Sequence, residues 1–201
     1  MGRYGSSEMR VDLRLGDCLD ILPTLEAGSV DAVITDPPYN LSMSQKSALH
    51  REFQRISRGI VIVFSPPENQ WILPASQYLF WVKPISTKNT SRRYSRFVEM
   101  IFVYGGSSWN SERHWSQYTN VFVDLVDAKG AHPHRKPPSL IRRLVLNHTN
   151  EGDTVLDPFM GSATTGTAAL ELGRNFIGIE LDETYFALAQ ERLAAAQPRL
   201  L

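Results

Sequence analysis

A short apolar strand that ends in two prolines constrains the fold of this chain more than any other feature. The run from Val30 to Ile34 is mostly apolar and rich in β-branched residues, which is typical of a buried parallel strand. Pro37 and Pro38 cannot continue the strand because proline lacks a backbone N–H donor. The strand therefore stops at Asp36. Since ligands bind outside the carboxyl ends of strands in an open α/β sheet, Asp36 and Tyr39 are expected to face a crevice.

A second stretch, from Asp153 to Glu180, favours a ligand site over a simple Pro-Pro turn. It reads Asp-Thr-Val-Leu-Asp-Pro-Phe-Met-Gly-Ser-Ala-Thr-Thr-Gly, followed by a helical run and then Asn-Phe-Ile-Gly-Ile-Glu. A buried strand ends at Asp157, and the small residues from Gly161 to Gly166 let backbone amides approach a ligand at the start of a helix. The next strand ends at Glu180, where a carboxylate is placed to accept hydrogen bonds from ribose hydroxyls.

Together the two stretches resemble the amino-methyltransferases of DNA, which use S-adenosylmethionine to methylate the exocyclic nitrogens of bases. The sequence from Asp36 to Tyr39, Asp-Pro-Pro-Tyr, matches the catalytic motif of that family, and the loop that begins at Asp157 matches its cofactor-binding motif. The catalytic motif comes first, which is the order of the circularly permuted β group. The resemblance covers the chain from Leu15 to about Leu193.

The resemblance implies the fold of the class I S-adenosylmethionine-dependent methyltransferases. This is an α/β fold with a doubly wound, mostly parallel, seven-stranded-type sheet, here circularly permuted. Tyr78 to Val82 and Val98 to Tyr104 both read as strands without a long helix between them, which predicts an antiparallel hairpin at one edge of the sheet. The strands before Asp36 and Asp157 are expected to be neighbours, so that both carboxylates face one crevice.

The resemblance also implies which residues form the site. Asp17 and Cys18 are expected beside the adenine ring of the cofactor, and the element that contains His132 and Lys136 is expected to line the methionine end of its pocket. Ala163 stands where the usual cofactor motif has glycine; if that position needs positive φ, alanine costs on the order of 1 kcal/mol. The implied catalytic residues are Asp36, Pro37, Pro38 and Tyr39, and the implied cofactor-binding residues are Asp17, Cys18, His132, Lys136, Asp157, Pro158, Phe159, Gly161, Ser162, Thr164, Thr165 and Glu180.

The chemistry of an exocyclic amino group explains the catalytic motif. Its nitrogen is a poor nucleophile because the lone pair is delocalised into the ring, and a site that accepts both amino hydrogens localises that lone pair. We expect the Asp36 carboxylate and the Pro37 carbonyl to accept these hydrogens. Tyr39 is expected to stack on a base that is flipped out of the duplex or already unpaired. The sulfonium cofactor is reactive by itself, so the protein contributes mainly position and electrostatics.

The predicted function is site-specific transfer of a methyl group from S-adenosylmethionine to N6 of adenine in DNA, as in restriction-modification. Aspartate at the start of the catalytic motif favours adenine; cytosine N4 is the alternative, and the sequence separates the two poorly. A non-catalytic nucleic-acid-binding relic of the fold is a third hypothesis, motivated by Ala163 and a short recognition region. Methylation of cytosine carbon 5 is discounted because the only cysteine, Cys18, lies in no catalytic motif of that class. A nicotinamide-dependent dehydrogenase would leave the Asp-Pro-Pro-Tyr motif unused.

The chain of 201 residues is long enough for one domain with a substantial core. We predict a single methyltransferase domain over 1–201, with a catalytic region at 11–82, a short target-recognition region at 83–131 and a cofactor-binding region at 132–201. The recognition region has little room for a separate domain. The protein is therefore expected to read a very short site, to form a homodimer, or to rely on a partner chain.

Net charge gives no indication of a partner, since Lys and Arg together number 21 and Asp and Glu also number 21. The distribution of charge is more informative, because the segments Lys83 to Arg96 and Lys129 to Asn150 are basic and contain no acid. Such segments are typical of a phosphate-binding face, although two solvated loops have the same composition. The DNA-binding residues predicted from the first segment are Lys83, Lys88, Arg92, Arg93 and Arg96.

A single cysteine, Cys18, excludes an intramolecular disulfide and favours a reducing compartment, so a cytoplasmic location is expected. Uninterrupted apolar runs such as Ile60 to Phe64 are far too short to span a membrane, so no membrane partner is expected. His132 and His134 form a weak metal motif because no convincing third ligand accompanies them, and no metal is expected.

The segment between the catalytic motif and the next strand is polar and weakly periodic. The part from Leu41 to His50 fits either a flexible flap over the substrate or an ordinary loop, and Arg51 to Arg58 has helical spacing. After the next strand, the sequence Ser-Pro-Pro that begins at Ser65 is interpreted as a turn, leading into a helix from Gln70 to Leu73.

Overall fold

All the strands in the part of the chain that the computed structural model describes lie in one sheet. The structure describes residues 9–72, 74–83, 98–106, 119–124 and 136–196. In chain order the strands are β1 (Val11–Leu15), β2 (Val30–Thr35), β3 (Ser57–Ser65), β4 (Gln77–Val82), β5 (Val98–Gly105), β6 (Val121–Val123), β7 (Thr154–Asp157) and β8 (Asn175–Glu180). Within the described residues their order in the sheet is β1-β8-β7-β2-β3-β5-β4-β6.

The sheet is parallel on the side that carries both motifs and antiparallel where the middle of the chain enters it. β1, β8, β7, β2 and β3 pair in parallel, whereas β5 runs antiparallel to both β3 and β4. The predicted α/β fold with a mostly parallel sheet is confirmed. The antiparallel hairpin is not at the edge, however, because β6 pairs with β4 in parallel outside it. Burial of the Phe122 side chain in the core holds this added strand against the sheet, while the side chains of Val121 and Val123 on either side of it are exposed.

Helices cover both faces of the sheet, as a doubly wound fold requires. They are α1 (Cys18–Ile21), α2 (Met43–Ile56), α3 (Pro138–His148), α4 (Thr164–Glu171) and α5 (Glu183–Ala196). Along β3, Ile60 and Ile62 belong to a hydrophobic cluster with α3, α4 and α5, and Val61 and Val63 belong to a second cluster with α1 and α2. This alternation buries both faces of the strand. In the part of the chain that is described, no helix is long and apolar enough to cross a membrane.

The polar segment after the catalytic motif is helical, so the flap or loop expected for Leu41 to His50 is wrong. The side chain of Ser42 accepts a hydrogen bond from the Gln45 amide, and the Gln45 side chain accepts one from the Ser42 amide at 3.0 Å. This capping box starts α2. Polar composition suggests an exposed loop, but Lys46 and His50 are buried here. The Ser-x-x-Gln pattern is the sequence signal for the helix start.

The chain after β3 makes a 3-10 turn at Pro67–Asn69, so the helix predicted from Gln70 to Leu73 is wrong at its described positions, 70–72. The Trp71 side chain is buried and stacks on Phe53 of α2, with 6.2 Å between the ring centroids. This contact anchors the chain against α2 directly after the turn.

The strands that carry the two motifs are neighbours. β2 pairs with β7, with Ala32 beside Val155, and β8 pairs with β7 on its other side. Asp36 and Asp157 therefore lie at the carboxyl ends of adjacent parallel strands, as expected. β2, which leads into the Asp-Pro-Pro-Tyr motif, precedes β7 and β8 in the chain and pairs with β7 in the sheet. This agrees with a permuted order. The single domain over 1–201 and its three regions stay a prediction.

Candidate active site

A cavity of about 440 Å³ opens at the carboxyl ends of β2, β7 and β8. This volume is within the range of small-molecule sites in proteins. The catalytic stretch from Thr35 to Tyr39 lines it, and so do Asp157, Gly161 and Glu180 of the cofactor stretch. The two sequence motifs therefore meet in one cavity.

Asp36 directly follows β2 and forms an ion pair inside this cavity. Its Oδ2 atom is 2.7 Å from the Lys136 ammonium. Burial raises the pKa of Asp36, and the charge of Lys136 opposes this rise. Among the described residues, the other oxygen, Oδ1, receives only a marginal contact of 3.5 Å from the Tyr39 hydroxyl. One oxygen of the carboxylate is therefore available to a ligand.

Lys136 is held between two carboxylates. Its ammonium is 2.8 Å from Oε1 of Glu99 and donates to the Tyr39 hydroxyl at 3.1 Å. The Phe64 ring centroid lies 5.3 Å from the same ammonium. Burial would lower the pKa of Lys136, but the carboxylates of Asp36 and Glu99 raise it above its ordinary value. Lys136 thus lines the cavity, with its charge directed at Asp36.

Glu99 in β5 is part of this arrangement although neither motif contains it. Its side chain is 5% exposed, and its Oε2 atom is 2.9 Å from the Lys83 ammonium. Burial favours the neutral acid, but Lys136 and Lys83 hold the pKa of Glu99 at about 2. The signal was present in the sequence, because one acid within the apolar strand from Val98 to Tyr104 needs a buried partner.

Tyr39 is held at both its hydroxyl and its backbone. The hydroxyl donates to Glu99 Oε1 at 2.7 Å, and the backbone carbonyl accepts from the side-chain amide of Asn69. Lys46 of α2 in turn donates to the side chain of Asn69 and to the Gln70 carbonyl. Tyr39 nevertheless remains 42% exposed. A ring that is fixed in place and exposed is suited to stacking on a planar ligand.

Asp157 is a buried carboxylate at the end of β7. Its Oδ1 atom accepts hydrogen bonds from the Thr35 hydroxyl at 2.8 Å and from the Phe159 amide at 3.1 Å. Burial raises the pKa of Asp157 to about 6, and hydrogen bonds from Thr165 and Thr35 limit the rise. Above this pH the cavity contains a buried negative charge.

The Asp157→Asn variant is expected to be more stable than the wild type at pH 8. The pKa of Asp157 in the folded protein, about 6, lies above its ordinary value of 3.8. The stability linked to the protonated group is therefore present below about pH 4 and is lost as the pH rises through 6. Asparagine avoids this loss, so we expect a gain of roughly 2 to 3 kcal/mol at pH 8.

Urea unfolding of this variant at pH 4 and pH 8 measures the effect. The gain should nearly disappear near pH 4, where Asp157 of the folded wild type is protonated and therefore as neutral as asparagine. Asp20→Asn on the exposed side of α1 is the matched control and should change stability little at either pH. An equal gain at both pH values would contradict the burial of an unfavourable charge.

The loop after Asp157 contains two residues with positive φ. Gly161 has φ 50°, and Ala163 has φ 56° and ψ 44°, which is the left-handed region. The Gly161 amide donates to Glu180 Oε2 at 2.8 Å, and Arg192 of α5 donates to the Ser162 carbonyl at 2.9 Å. The position that usually carries glycine thus has positive φ, so alanine is strained at this point.

Ala163→Gly is expected to destabilise the protein much less than Ala169→Gly, although both alanines are fully buried. Glycine at 163 relieves the left-handed strain, which offsets the loss of a buried methyl group and the greater freedom of the unfolded chain. Ala169 lies inside α4, where glycine only lowers helix stability. Chemical denaturation should give a difference of about 1 to 2 kcal/mol between the two variants. Equal destabilisation would show that Ala163 is not strained.

The orientation of Glu180 at the end of β8 is set by backbone amides. Its Oε1 atom accepts from Leu181 at 3.0 Å and from Asp182 at 2.9 Å, and its Oε2 atom accepts from Gly161. The two oxygens of a carboxylate together accept about four hydrogen bonds, so Oε2, which receives one of these three, has room for a further donor.

A family model described as DNA methylase, of the N6 and N4 methyltransferases, matches residues 74–191, which is more than half of the chain. The chain belongs to this family. Among curated relatives of the methylase, the type II methyltransferase M2.DpnII of Streptococcus pneumoniae is 26% identical, with 89% of this chain and 88% of the relative covered. The type II methyltransferase M2.LlaDCHI of Lactococcus lactis subsp. cremoris is 25% identical over 88% and 87%.

Solved structures agree with this family. M1.HpyAVI in complex with S-adenosylmethionine is 28% identical, with a TM-score of 0.74 and coverage of 91% of this chain and 98% of that chain. The cytosine-N4-specific PvuII DNA methyltransferase is 19% identical, with a TM-score of 0.73 over 95% and 89%, and shares the fold. The methylase is therefore an S-adenosylmethionine-dependent enzyme that methylates amino groups in DNA, and the predicted class of enzyme is confirmed.

The cavity of the methylase fits S-adenosylmethionine, the cofactor that this family uses. Glu180 and Asp157 offer carboxylate oxygens to hydroxyl or ammonium groups of a ligand. At Gly161 an added Cβ would meet no atom within 4 Å, so the backbone of the loop faces open space that a ligand can enter. The predicted cofactor is confirmed, and the residues that hold it stay a prediction.

The structure brings most of the predicted site residues of the methylase together. Asp17 caps α1 and Cys18 follows it, so both lie at the end of β1 beside Glu180 and do not line the cavity. Pro158 is also absent from the lining, whereas Tyr185 of α5 is part of it. The predicted residues that line the cavity are Asp36, Pro37, Pro38, Tyr39, Lys136, Asp157, Phe159, Gly161, Ser162, Thr164, Thr165 and Glu180.

Cys18 is a packing residue at this position. Burial, together with the neighbouring Asp17, raises the pKa of the Cys18 thiol to about 12. The thiol therefore stays protonated at neutral pH, which agrees with the exclusion of a cysteine nucleophile.

The remaining predicted residues belong mostly to parts of the methylase that are not described. His132, Lys88, Arg92, Arg93 and Arg96 all lie outside the described residues. Lys83 is described, and its ammonium pairs with Glu99 and lies 4.6 Å from the centroid of the Trp81 ring. The contribution of Lys83 to DNA binding stays a prediction.

Proposed function

We propose that this methylase transfers a methyl group to N6 of adenine at a specific site in DNA. The observation that supports the proposal most directly is that the Asp36 carboxylate and the exposed Tyr39 ring line the same cavity as Asp157, Gly161 and Glu180. A base bound at the first motif and a cofactor bound at the second would therefore meet in one cavity. Aspartate at the start of the catalytic motif favours adenine over cytosine.

Asp36 is proposed to accept one amino hydrogen of the target base through its available oxygen, and the Pro37 carbonyl to accept the other. Accepting both hydrogens localises the nitrogen lone pair. The negative charge of Asp36 also stabilises the positive charge that develops on the nitrogen. After transfer, Asp36 is placed to take the proton that the nitrogen loses.

Tyr39 is proposed to stack on the target base. A base inside a duplex cannot reach Asp36, so it must leave the stack or be unpaired already. The hydrogen bonds from the Tyr39 hydroxyl to Glu99 and from Asn69 to the Tyr39 carbonyl hold the ring in place. Binding of the base therefore requires little ordering of this side chain.

S-adenosylmethionine, when bound, supplies a methyl group that is activated by its positively charged sulfur. Glu180 is proposed to accept hydrogen bonds from the ribose hydroxyls, and Asp17 from the adenine amino group of the cofactor. The backbone around Gly161 and the carboxylate of Asp157 are proposed to contact the remainder of the ligand. Cytoplasmic location, a homodimer and DNA contacts by the basic segment from Lys83 to Arg96 complete the proposal.

The test is transfer of labelled methyl groups to unmethylated genomic DNA, followed by nucleoside analysis of the product. N6-methyladenine is the expected product. Detection of N4-methylcytosine instead would show that the target base is cytosine, and the proposed roles of the site residues would stay the same. If the protein binds S-adenosylmethionine but methylates neither single-stranded nor duplex DNA, the proposal is wrong and a non-catalytic DNA-binding role becomes the better hypothesis.

A further inference from the structure

We propose that Glu99 is a positioning residue of the active site: by sharing the Lys136 ammonium with Asp36, it keeps one Asp36 oxygen available to the target amino group. This inference rests on the proposed role of Asp36. Glu99 lies in β5 and does not line the cavity, so it acts through Lys136 and Tyr39 and not by touching the base.

The first argument concerns the hydrogens of Lys136. An ammonium group has three donors, and here they meet three acceptors, namely Asp36 Oδ2 at 2.7 Å, Glu99 Oε1 at 2.8 Å and the Tyr39 hydroxyl at 3.1 Å. The distances to the two carboxylates are nearly equal, so neither has the ammonium to itself. Without Glu99, the buried ammonium would direct its charge at Asp36 alone.

The second argument concerns the Tyr39 hydroxyl. This hydroxyl donates to Glu99 Oε1 at 2.7 Å and lies 3.5 Å from Asp36 Oδ1. If Glu99 could not accept this hydrogen bond, Asp36 Oδ1 would be the next acceptor within reach among the described residues. The oxygen proposed to receive the target amino group would then be occupied. Glu99 therefore diverts two donors, Lys136 and Tyr39, from Asp36.

The third argument concerns charge. Glu99 is ionised because Lys83 and Lys136 both pair with it, at 2.9 Å and 2.8 Å. Its negative charge raises the pKa of Asp36, whereas Lys136 lowers it. Removal of this charge therefore makes Asp36 a weaker base and gives it additional donors. Both effects reduce the ability of Asp36 to accept an amino hydrogen.

The experiment compares Glu99→Gln with the wild type by single-turnover methyl transfer as a function of pH. The variant keeps the shape of the side chain and removes the charge. We expect the acid limb of the pH-rate profile to move to lower pH by roughly one unit. The maximal rate should fall by on the order of ten-fold to a hundred-fold, without a matching change in the dissociation constant of S-adenosylmethionine.

A second measurement uses neither DNA nor cofactor. Carbon-13 NMR follows the Asp36 carboxyl in free protein that contains carbon-13-labelled aspartate. The spectrum of Asp36→Asn provides the assignment. The Asp36 titration should move to lower pH in Glu99→Gln. If Glu99 only stabilised the fold, the variant would unfold more readily while the Asp36 titration stayed unchanged, and this result would overturn the inference.

Further variants guard against a simple folding defect. Glu99→Asp keeps the charge and should keep the acid limb near its wild-type position. Lys83→Met leaves Glu99 with Lys136 as its one remaining cationic partner among the described residues, so the Asp36 titration should move in the opposite direction, to higher pH. This variant also tests the inference if Glu99→Gln does not fold. Glu26→Gln, at an exposed position, should leave the titration unchanged.

The two proposals fail in different ways. Wild-type protein that titrates normally at Asp36 but never methylates DNA would refute the proposed function. An Asp36 titration that is unchanged in both Glu99→Gln and Lys83→Met would refute only the positioning role of Glu99.

Discussion

Asp36→Asn is expected to lower the rate of methyl transfer by roughly 10³-fold while leaving the affinity for S-adenosylmethionine nearly unchanged. Asparagine has almost the same shape as aspartate, but its amide group donates hydrogen bonds and carries no negative charge. It can neither stabilise the positive charge on the target nitrogen nor take its proton. Because Asp36 sits at the end of the rigid strand β2, the substitution should not displace the backbone.

Single-turnover transfer of labelled methyl groups measures this effect, and calorimetry measures cofactor binding. Asp20→Asn, an exposed position in α1, provides the control and should retain the wild-type rate. The wild-type rate should also fall on the acid side at a pH above the ordinary aspartate pKa of 3.8, because burial raises the pKa of Asp36. Substantial methylation by Asp36→Asn would remove Asp36 from the proposed mechanism.

Lys136→Met is expected to have the largest effect on stability, a loss of about 3 to 5 kcal/mol at neutral pH. Methionine fills a similar volume but leaves Asp36 and Glu99 without the cation between them. The stabilisation that Glu99 gains from its lysine partners is present above its ordinary pKa of 4.5 and is lost as the pH falls toward its folded-state pKa of about 2. The destabilisation by Lys136→Met should therefore shrink in acid.

Urea unfolding of the single variants and of the double variant Lys136→Met/Glu99→Gln tests this expectation. The double variant should recover part of the lost stability, because it no longer buries the Glu99 carboxylate without its central partner. If the two single effects simply added, Lys136 and Glu99 would not be coupled. Arg58→Met is a useful comparison, since its ion pair with Asp31 is largely exposed on the arginine side and should contribute less than about 1 kcal/mol.

The positions of Asp36, Asp157 and Glu180 followed from the sequence because each ends an apolar strand. A short run of apolar, β-branched residues is typical of an inner strand that is buried on both faces. In a parallel sheet the carboxyl end of such a strand faces the ligand crevice. The structure agrees, since β2, β7 and β8 lie side by side in the sheet and all three acids line one cavity. Local sequence was sufficient because the signal and the element lie within the same few residues.

The helix α2 shows where composition is a poor guide. Leu41 to His50 is polar, yet Lys46 is buried because Asn69 and Gln70 supply acceptors for its ammonium. Those acceptors come from another part of the chain, after β3. The capping box at Ser42 was a local signal for this helix, whereas the burial of its polar face depended on contacts that no local pattern contains.

The sequence by itself determined the strands that carry the two motifs, the acids at their ends, the order of the motifs and the family of the protein, because these depend on short-range pattern. The tertiary structure alone decided the partners of those acids. Lys136 precedes α3, Glu99 lies in β5 and Asp36 follows β2. Folding brings both carboxylates within 2.8 Å of the Lys136 ammonium. A buried charge requires a partner, but which partner it finds is set by the packing of distant elements, and that information is absent from any local stretch of the chain.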